Sequence, residues 1–506
     1  MMFFNNIFSW LIKRRIRQID FFKNNPTAVQ QNLLKNMLVK CSSTKFGGLF
    51  SFKDISDYQT FSKKVPLHDY TTIYPLVEEV LQGKQNILWP GLTSWFSKSS
   101  GTTSHRSKIL PVTKEHLFDC HYKGGKDLLS LYYHNYPNRK LYNGKHLIIG
   151  GSSEINTLGK NSYIGDLSAI IIKNLPFWAE IRRTPSRETS LLANWEEKLD
   201  KMVKETIHED VYILAGVPSW TLVLLKRILE YTGKKHIKEV WPNLELYMHG
   251  GVNFAPYKSE FEIIIGKKIN YVETYNSSEG FYGIQDQPNS DELLLMLDYG
   301  IFYEFIPMET YDGLNSQTVL SLADIEVNKN YALVISTNAG LWRYIIGDTI
   351  SFTSKTPYRF RITGRTSQCL NVFGEEVIVE NADRAIADTC TETNAFLKDY
   401  AVFPIYLENK KQGAHEWFIE FSKEPKSKEE FTFILDQKLQ AINSDYAAKR
   451  QGDFVLTLPT IHFLPKNTFE TWLIRQNKLG GQHKIPRLNN TREIVEQLHQ
   501  LIQDHV

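Results

Sequence analysis

Val211-Tyr-Ile-Leu-Ala215 is a short apolar run that feeds directly into Gly216-Val-Pro-Ser219, and an apolar-periodic stretch follows from Trp220 to Tyr231. Five such residues bounded by a glycine turn read as a buried strand. The spacing after the turn predicts a helix. A strand, a glycine-bearing loop and a helix in that order form the repeating unit of a parallel α/β sheet. The same unit extends outward on both sides. His146-Leu-Ile-Ile-Gly150 lies upstream, with Leu244-Glu-Leu-Tyr-Met248 and Asn270-Tyr-Val-Glu-Thr274 downstream.

From Glu292 to Arg361 the pattern tightens. Leu293–Leu297, Phe302–Phe305, Ala332–Ile335 and Thr349–Phe352 are close-spaced strands with turns at Tyr299-Gly300 and Asn328-Lys329, which predicts an antiparallel β subdomain. Before Trp89 the chain reads as mainly helical. After Gly364-Arg365 a compact α+β unit is expected. Its strands lie near Val402–Leu407, Trp417–Phe421 and Thr460–Leu464, and its helices over Glu429–Ala448 and Arg492–Ile502.

Bulk composition narrows the function. With 506 residues, two or more domains are expected; 42% hydrophobic and 23% charged residues are ordinary for a globular chain. A net charge of +3 without a long basic run gives no footprint for nucleic acid. No stretch reaches the ~18 uninterrupted apolar residues of a membrane span. The cations Lys13, Arg14, Arg15 and Arg17 follow the apolar start rather than precede it, so Met1–Ile12 reads as an amphipathic helix and not a signal peptide. Cys41, Cys120, Cys369 and Cys390 form no CxxC pair and are expected as free thiols, which places the protein in the cytoplasm.

Five loops carry residues suited to chemistry. Ser99-Ser-Gly-Thr-Thr103 with Lys108 offers amides, hydroxyls and a cation for phosphate oxygens. It is not a Walker loop. His249-Gly-Gly-Val-Asn-Phe254 places paired glycines after a strand. Tyr275-Asn-Ser-Ser-Glu-Gly280 sets a carboxylate beside hydroxyls, a set that suits magnesium. Gly347-Asp348 and Gly364-Arg365 supply an acceptor for a diol and a guanidinium. Gly480–Arg487 carries Lys484. Taken singly, each is an ordinary turn or surface loop.

In this order, together with Thr44-Lys-Phe-Gly47, Ile87-Leu-Trp-Pro-Gly91, Gly340-Leu-Trp-Arg-Tyr344, Asn371-Val-Phe-Gly-Glu375 and Gln482–Leu488, they resemble the adenylate-forming superfamily. Within it the chain resembles the Gretchen Hagen (auxin-responsive promoter) family of acyl acid-amido synthetases, nearly end to end. The resemblance implies an α/β fold in two parts. A large domain over 1–366 would have mixed or parallel sheets and a β-barrel-like subdomain; a small, mobile α+β lid would span 367–506, hinged at Ser367-Gln368.

It also implies a reaction. ATP and Mg2+ would adenylate a carboxylic acid, and an amine such as an amino acid would take the acyl group. Ser99, Ser100, Gly101, Thr102, Thr103 and Lys108 would hold phosphates. Gly250, Gly251 and Tyr275 would flank adenine, with Ser278 beside the nucleotide. Glu279 would hold the metal, Asp348 and Arg365 the ribose, and Lys484 would complete the site from the lid. By this resemblance, Ser104-His105-Arg106 stands where the plant branch usually has a glycine, and Gly364-Arg365 with Asn371-Val-Phe-Gly374 is closer to the general superfamily and bacterial pattern than to the plant one. The alternatives are an acyl-CoA ligase and a silent binding protein of the same fold. Glu375, Glu376, Glu380, Asp383 and Asp388 against Arg384 suit an ammonium group better than CoA phosphates.

Overall fold

The computed structural model describes residues 14–503 apart from 100–107, 140, 151–154, 160–161, 193, 367–368, 371–372, 374, 376, 407–412, 451–454, 477–484, 490–491 and 493. The amphipathic helix expected over Met1–Ile12 lies outside the described residues, as does the hinge pair Ser367-Gln368.

The opening strand is found at Val211–Ala215, followed by the Pro218–Thr232 helix with proline in its first turn, where a missing N–H costs nothing. Its neighbours Lys145–Ile148 and Leu246–Gly250 run parallel to it, and Asn270–Ser277 continues the set. Helices Trp195–Thr206, Pro218–Thr232 and Ala255–Ile265 bury Leu199, Leu225 and Phe261 with the strand residues Leu214 and Tyr247 in one apolar cluster.

The antiparallel strands expected between Glu292 and Arg361 are present, and they belong to the same sheet. From Asn270–Ser277 the hydrogen bonding passes to Gly280–Ile284, Leu293–Leu295, Tyr358–Arg365, Tyr344–Lys355, Asn330–Thr337, Ile301–Pro307 and Leu320–Ser321. One 12-stranded sheet results, parallel in one half and antiparallel in the other. The change of sense falls at Asn270–Ser277, which pairs parallel on one side and antiparallel on the other. A separate four-stranded sheet joins Trp95–Ser99 with Lys108–Val112, Asn156–Gly159 and Ser162–Gly165.

The helical N-terminal region is clamped onto the antiparallel half. Arg15 donates to Asp127 Oδ1 and Oδ2 at 2.7 and 2.6 Å and to Asp298 at 2.6 and 2.9 Å, and Tyr299 donates to Asp127 at 2.7 Å. Gln30, on the Pro26–Cys41 helix, donates to the Leu297 and Ile301 carbonyls and accepts from the Tyr303 N–H. Thr44-Lys-Phe-Gly47 and Ile87-Leu-Trp-Pro-Gly91 meet Gly340-Leu-Trp-Arg-Tyr344 here. Phe46 stacks on Trp342 at 5.9 Å, and the Trp342 Nε1–H donates to the Leu88 carbonyl. These motifs carry architecture.

The C-terminal part has a three-stranded sheet, Phe396–Tyr406, Gly413–Lys423 and Thr460–Leu464. Alternation along the middle strand divides its faces. Trp417, Ile419 and Phe421 pack with helices Val379–Thr393 and Lys428–Ile442, whereas Phe418 packs with Thr468–Arg475 and Val495–Gln503. The single helix expected over Glu429–Ala448 is broken at Asn443. That residue's Oδ1 accepts the Tyr446 N–H at 2.7 Å, and a second helix runs over Ser444–Arg450. This part leans on the Ala255–Ile265 helix, where Tyr257 Oη lies 3.3 Å from the Lys398 carbonyl and 3.2 Å from Arg487 Nη2. No described helix is long and apolar enough to cross a membrane.

Candidate active site

The Asn270–Ser277 strand ends at the seam of the sheet and turns through Ser278-Glu279 into Gly280–Ile284. Ser277 Oγ organises that turn. It donates to Glu279 Oε2 at 2.7 Å, and accepts the Glu279 N–H at 3.1 Å and the Tyr282 O–H at 2.8 Å. A hydroxyl has one donor and two lone pairs, so Ser277 is saturated and Glu279 is held in one orientation. Glu279 is 8% exposed. Burial pushes the Tyr282 phenol well up, and the charge of Glu279 pushes it the same way.

Across the sheet, Asp348 and Arg365 sit opposite each other on the Tyr344–Lys355 and Tyr358–Arg365 strands. Arg365 Nε donates to Asp348 Oδ1 at 2.8 Å, and Tyr275 Oη donates to Asp348 Oδ2 at 2.6 Å. The Asp348 charge raises Arg365 above its ordinary pKa against the opposing effect of burial. Burial, then the same carboxylate, pushes Tyr275 well up. The Tyr275 ring lies 4.7 Å from that of Tyr282, so the Glu279 turn and the Asp348 pair form one cluster. Lys108 approaches from the four-stranded sheet, its Nζ 3.4 Å from Tyr344 Oη. The Ser99 backbone pairs with Lys108, which brings together the two ends of the proposed phosphate loop.

The glycine loop opens beside this cluster. Gly250 ends its strand against Asn270–Ser277, where a Cβ would sit 2.3 Å from the Thr274 carbonyl oxygen; only glycine fits. Gly251 has φ of 83°. His249 beneath it is buried against the Phe254 ring at 4.3 Å, and burial pushes its pKa down to about 3.

Tyr275, Ser278, Glu279, Asp348 and Arg365 are thus brought together, with Gly250, Gly251 and Lys108 at the margins. Ser100, Gly101, Thr102, Thr103 and Lys484 lie outside the described residues. Part of the acidic run is engaged internally. Glu375 accepts from the Phe373 N–H at 2.7 Å and lies 3.1 Å from His415 Nε2, while Asp383 accepts from Tyr400 at 2.7 Å. Arg183 is buried and bonded to Glu180 and Ser190.

Sequence reasoning missed the support under the Glu279 turn. His116 is fully buried, with Nδ1 3.1 Å from Asn338 Oδ1, and on the same segment Cys120 Sγ accepts the Phe281 N–H at 3.2 Å. His121 Nε2 lies 3.0 Å from His116 Nε2. Burial pushes His116 down to about 4, so it serves as a neutral prop. No local pattern marks it, because Asn338 stands 222 positions away in the chain.

The comparisons with known proteins agree with this architecture. Three family models match in succession: the GH3 family N-terminal domain over residues 15–269, the central domain over 294–365 and the C-terminal domain over 380–493. Among curated relatives, the indole-3-acetic acid-amido synthetase GH3.3 of Arabidopsis thaliana is 23% identical, covering 96% of this chain and 93% of its own. The 4-substituted benzoates-glutamate ligase GH3.12 of the same plant is 22% identical, covering 93% and 94%. Among solved structures, the GH3.15 acyl acid amido synthetase in complex with 2,4-DB superposes with a TM-score of 0.79 at 16% identity, over 97% of this chain and 96% of that one. A 2-hydroxyisobutyryl-CoA ligase in the postadenylation state gives 0.59 at 12% identity, over 94% and 92%. The family and fold that the motifs imply are borne out, and the chain belongs to the GH3 family.

Proposed function

We propose that this protein is an acyl acid-amido synthetase that adenylates a small carboxylic acid with ATP and transfers the acyl group to an amine, an amino acid in the first instance. The observation that carries the reading is the seam cluster. One buried carboxylate (Glu279) is fixed by Ser277, a second (Asp348) is shared by Tyr275 and Arg365, and a glycine loop lies alongside. The relatives named as amido synthetases and as a glutamate ligase support it.

The residues present fit the implied groups. Each Asp348 oxygen already accepts one hydrogen bond and keeps a second lone pair for a ribose hydroxyl. Glu279, oriented by Ser277, would hold Mg2+, whose charge offsets that of the phosphates when it is bound. Gly250, Gly251 and Tyr275 would flank adenine. Ser99 to Thr103 and Lys108 would hold the β- and γ-phosphates.

A carboxylate oxygen of the acid attacks the α-phosphorus, the bond to the β-phosphate bridging oxygen breaks, and pyrophosphate leaves. Donors positioned in advance offset the charge built between two anions. Lys484 would join them from a lid over 367–506 that moves against the large domain over 1–366. Withdrawal of the lid admits the amine. Its nitrogen attacks the acyl carbon, the bond to AMP oxygen breaks, and the amine proton passes to a base. We place the reaction in the cytoplasm, in keeping with the free, buried Cys41, Cys120 and Cys390.

A thioester-forming ligase is the second reading, favoured by the fold shared with the CoA ligase. ATP–pyrophosphate exchange over a panel of carboxylic acids tests the first half-reaction, and mass spectrometry with an amino acid or CoA tests the second. An amide with AMP release is expected. No exchange with any acid, or acyl-CoA formed faster than amide, overturns the reading. Lys484→Ala should lower exchange by at least ~10²-fold, the scale of one lost preorganised donor. An unchanged rate removes Lys484 from the mechanism.

A further inference from the structure

On the C-terminal sheet, away from the seam, three side chains from three elements converge. Glu416 stands on Gly413–Lys423, His462 on Thr460–Leu464 and His499 on Val495–Gln503. Glu416 Oε1 lies 2.8 Å from His462 Nε2 and 3.3 Å from His499 Nε2, and all three donor atoms lie within 4.8 Å of one another. We propose that this trio is a binding site for a divalent transition metal of the zinc class.

A tetrahedral zinc with bonds of roughly 2.0–2.2 Å sets its ligand atoms about 3.3–3.5 Å apart. The Glu416–His499 edge, at 3.3 Å, already has that spacing, the Glu416–His462 edge, at 2.8 Å, has to lengthen, and the two imidazole nitrogens lie within 4.8 Å of each other. Two imidazoles and one carboxylate leave a fourth position, and the half-exposed histidines, at 29% and 39%, open it to water.

Groups around the ligands hold them in place. The Phe418 ring stacks on His462 at 4.6 Å and meets His499 edge-on at 5.2 Å. Arg492 Nη1 is ion-paired with Glu416 Oε2 at 2.7 Å while hydrogen-bonding the Pro404 carbonyl, so the carboxylate is fixed from behind and Oε1 faces the imidazoles. Such supporting contacts set the orientation of ligands.

A metal here ties the last helix to the sheet. Val495, Leu498 and Leu501 of that helix share an apolar cluster with Ile485, the residue after Lys484. The site therefore braces the base of the Lys484 segment. Magnesium, which prefers oxygen ligands, does not compete for two imidazoles.

The test uses full-length, tag-free protein, with Zn2+ alone as the probe in calorimetry and with Co2+ for its visible absorption. One equivalent of Zn2+ is expected to bind in the presence of excess Mg2+ and to raise the melting temperature. Co2+ should give the intense bands of a four-coordinate site. His462→Asn and His499→Asn, both partly exposed, should each weaken binding by at least ~10–100-fold, the scale of losing even a supporting contact. Absence of a stoichiometric equivalent overturns the proposal. So does undiminished binding in both variants, which would put the metal elsewhere, for example at the buried His116, Cys120 and His121.

Discussion

Two arginine–carboxylate pairs flank the start of the Tyr344–Lys355 strand, and they are built on opposite principles. Arg343 gives Nε to both oxygens of Glu304 at 3.1 and 3.0 Å, Nη2 to Oε1 at 2.9 Å, and Nη1 to the Ser62 and Val65 carbonyls. Their side chains are 5% and 0% exposed. Arg365 Nε contacts Asp348 Oδ1 at 2.8 Å, with side chains 34% and 14% exposed. The first pair is saturated by protein and closed to water. The second keeps a face toward solvent, where a ligand can share its partners. The two pairs, whose members Arg343 and Asp348 stand five positions apart on the chain, differ in burial: one is closed and the other is open to solvent.

The closed pair should give the largest effect. Glu304→Gln leaves a buried guanidinium uncompensated and should cost about 3–5 kcal/mol, read as a large fall in the denaturation midpoint. A loss under ~1 kcal/mol would mean that the closed pair is as replaceable as a surface one. The open pair should behave in reverse. Asp348→Asn should weaken ATP binding by about 10–100-fold, the scale of charged hydrogen bonds, with the melting temperature nearly unchanged. Glu279→Gln should instead raise the magnesium requirement. Identical nucleotide and magnesium profiles for the two variants would erase their separate roles. Tyr275→Phe should have the smallest effect. It removes one bond worth about 0.5–1.5 kcal/mol and should shift ATP affinity by only a few-fold. A large loss of stability in that variant would move Tyr275 to the closed class.

The strands were readable where a short, largely apolar run is bounded by glycine or proline, as by Gly216 after Val211–Ala215 and by Pro459 and Pro465 around Thr460–Leu464. Val211–Ala215 and Thr460–Leu464 fall where their runs begin and end. The site was readable as an order of loops. Its geometry was not, since Tyr275, Asp348 and Arg365 meet only through strand register. The continuity of the 12-stranded sheet had no local signal either, because it depends on which edges pair. The break at Asn443 was written in the Asn-Ser-Asp sequence, a helix-capping signal overridden by apolar spacing on either side. Thr468–Arg475 is only about two turns long, and it persists because Phe469 and Trp472 are buried against the C-terminal helix. The buried His116 and His121 needed partners from distant segments before their role could be seen.

The clamp at Arg15 bears on how the chain is made. Its guanidinium binds Asp127 and Asp298, which lie 112 and 283 positions further along. At a synthesis rate of roughly 5–20 residues per second, about 15–60 s pass between the appearance of Arg15 and that of its last partner. Throughout that interval Ile16, Ile19 and Phe22, side chains buried in the finished protein, lack part of the core cluster they join, which includes Leu295, Leu297 and Ile301. The ribosome-bound chain therefore offers a sticky, cationic leading segment for tens of seconds, and a holding chaperone has that long to find it.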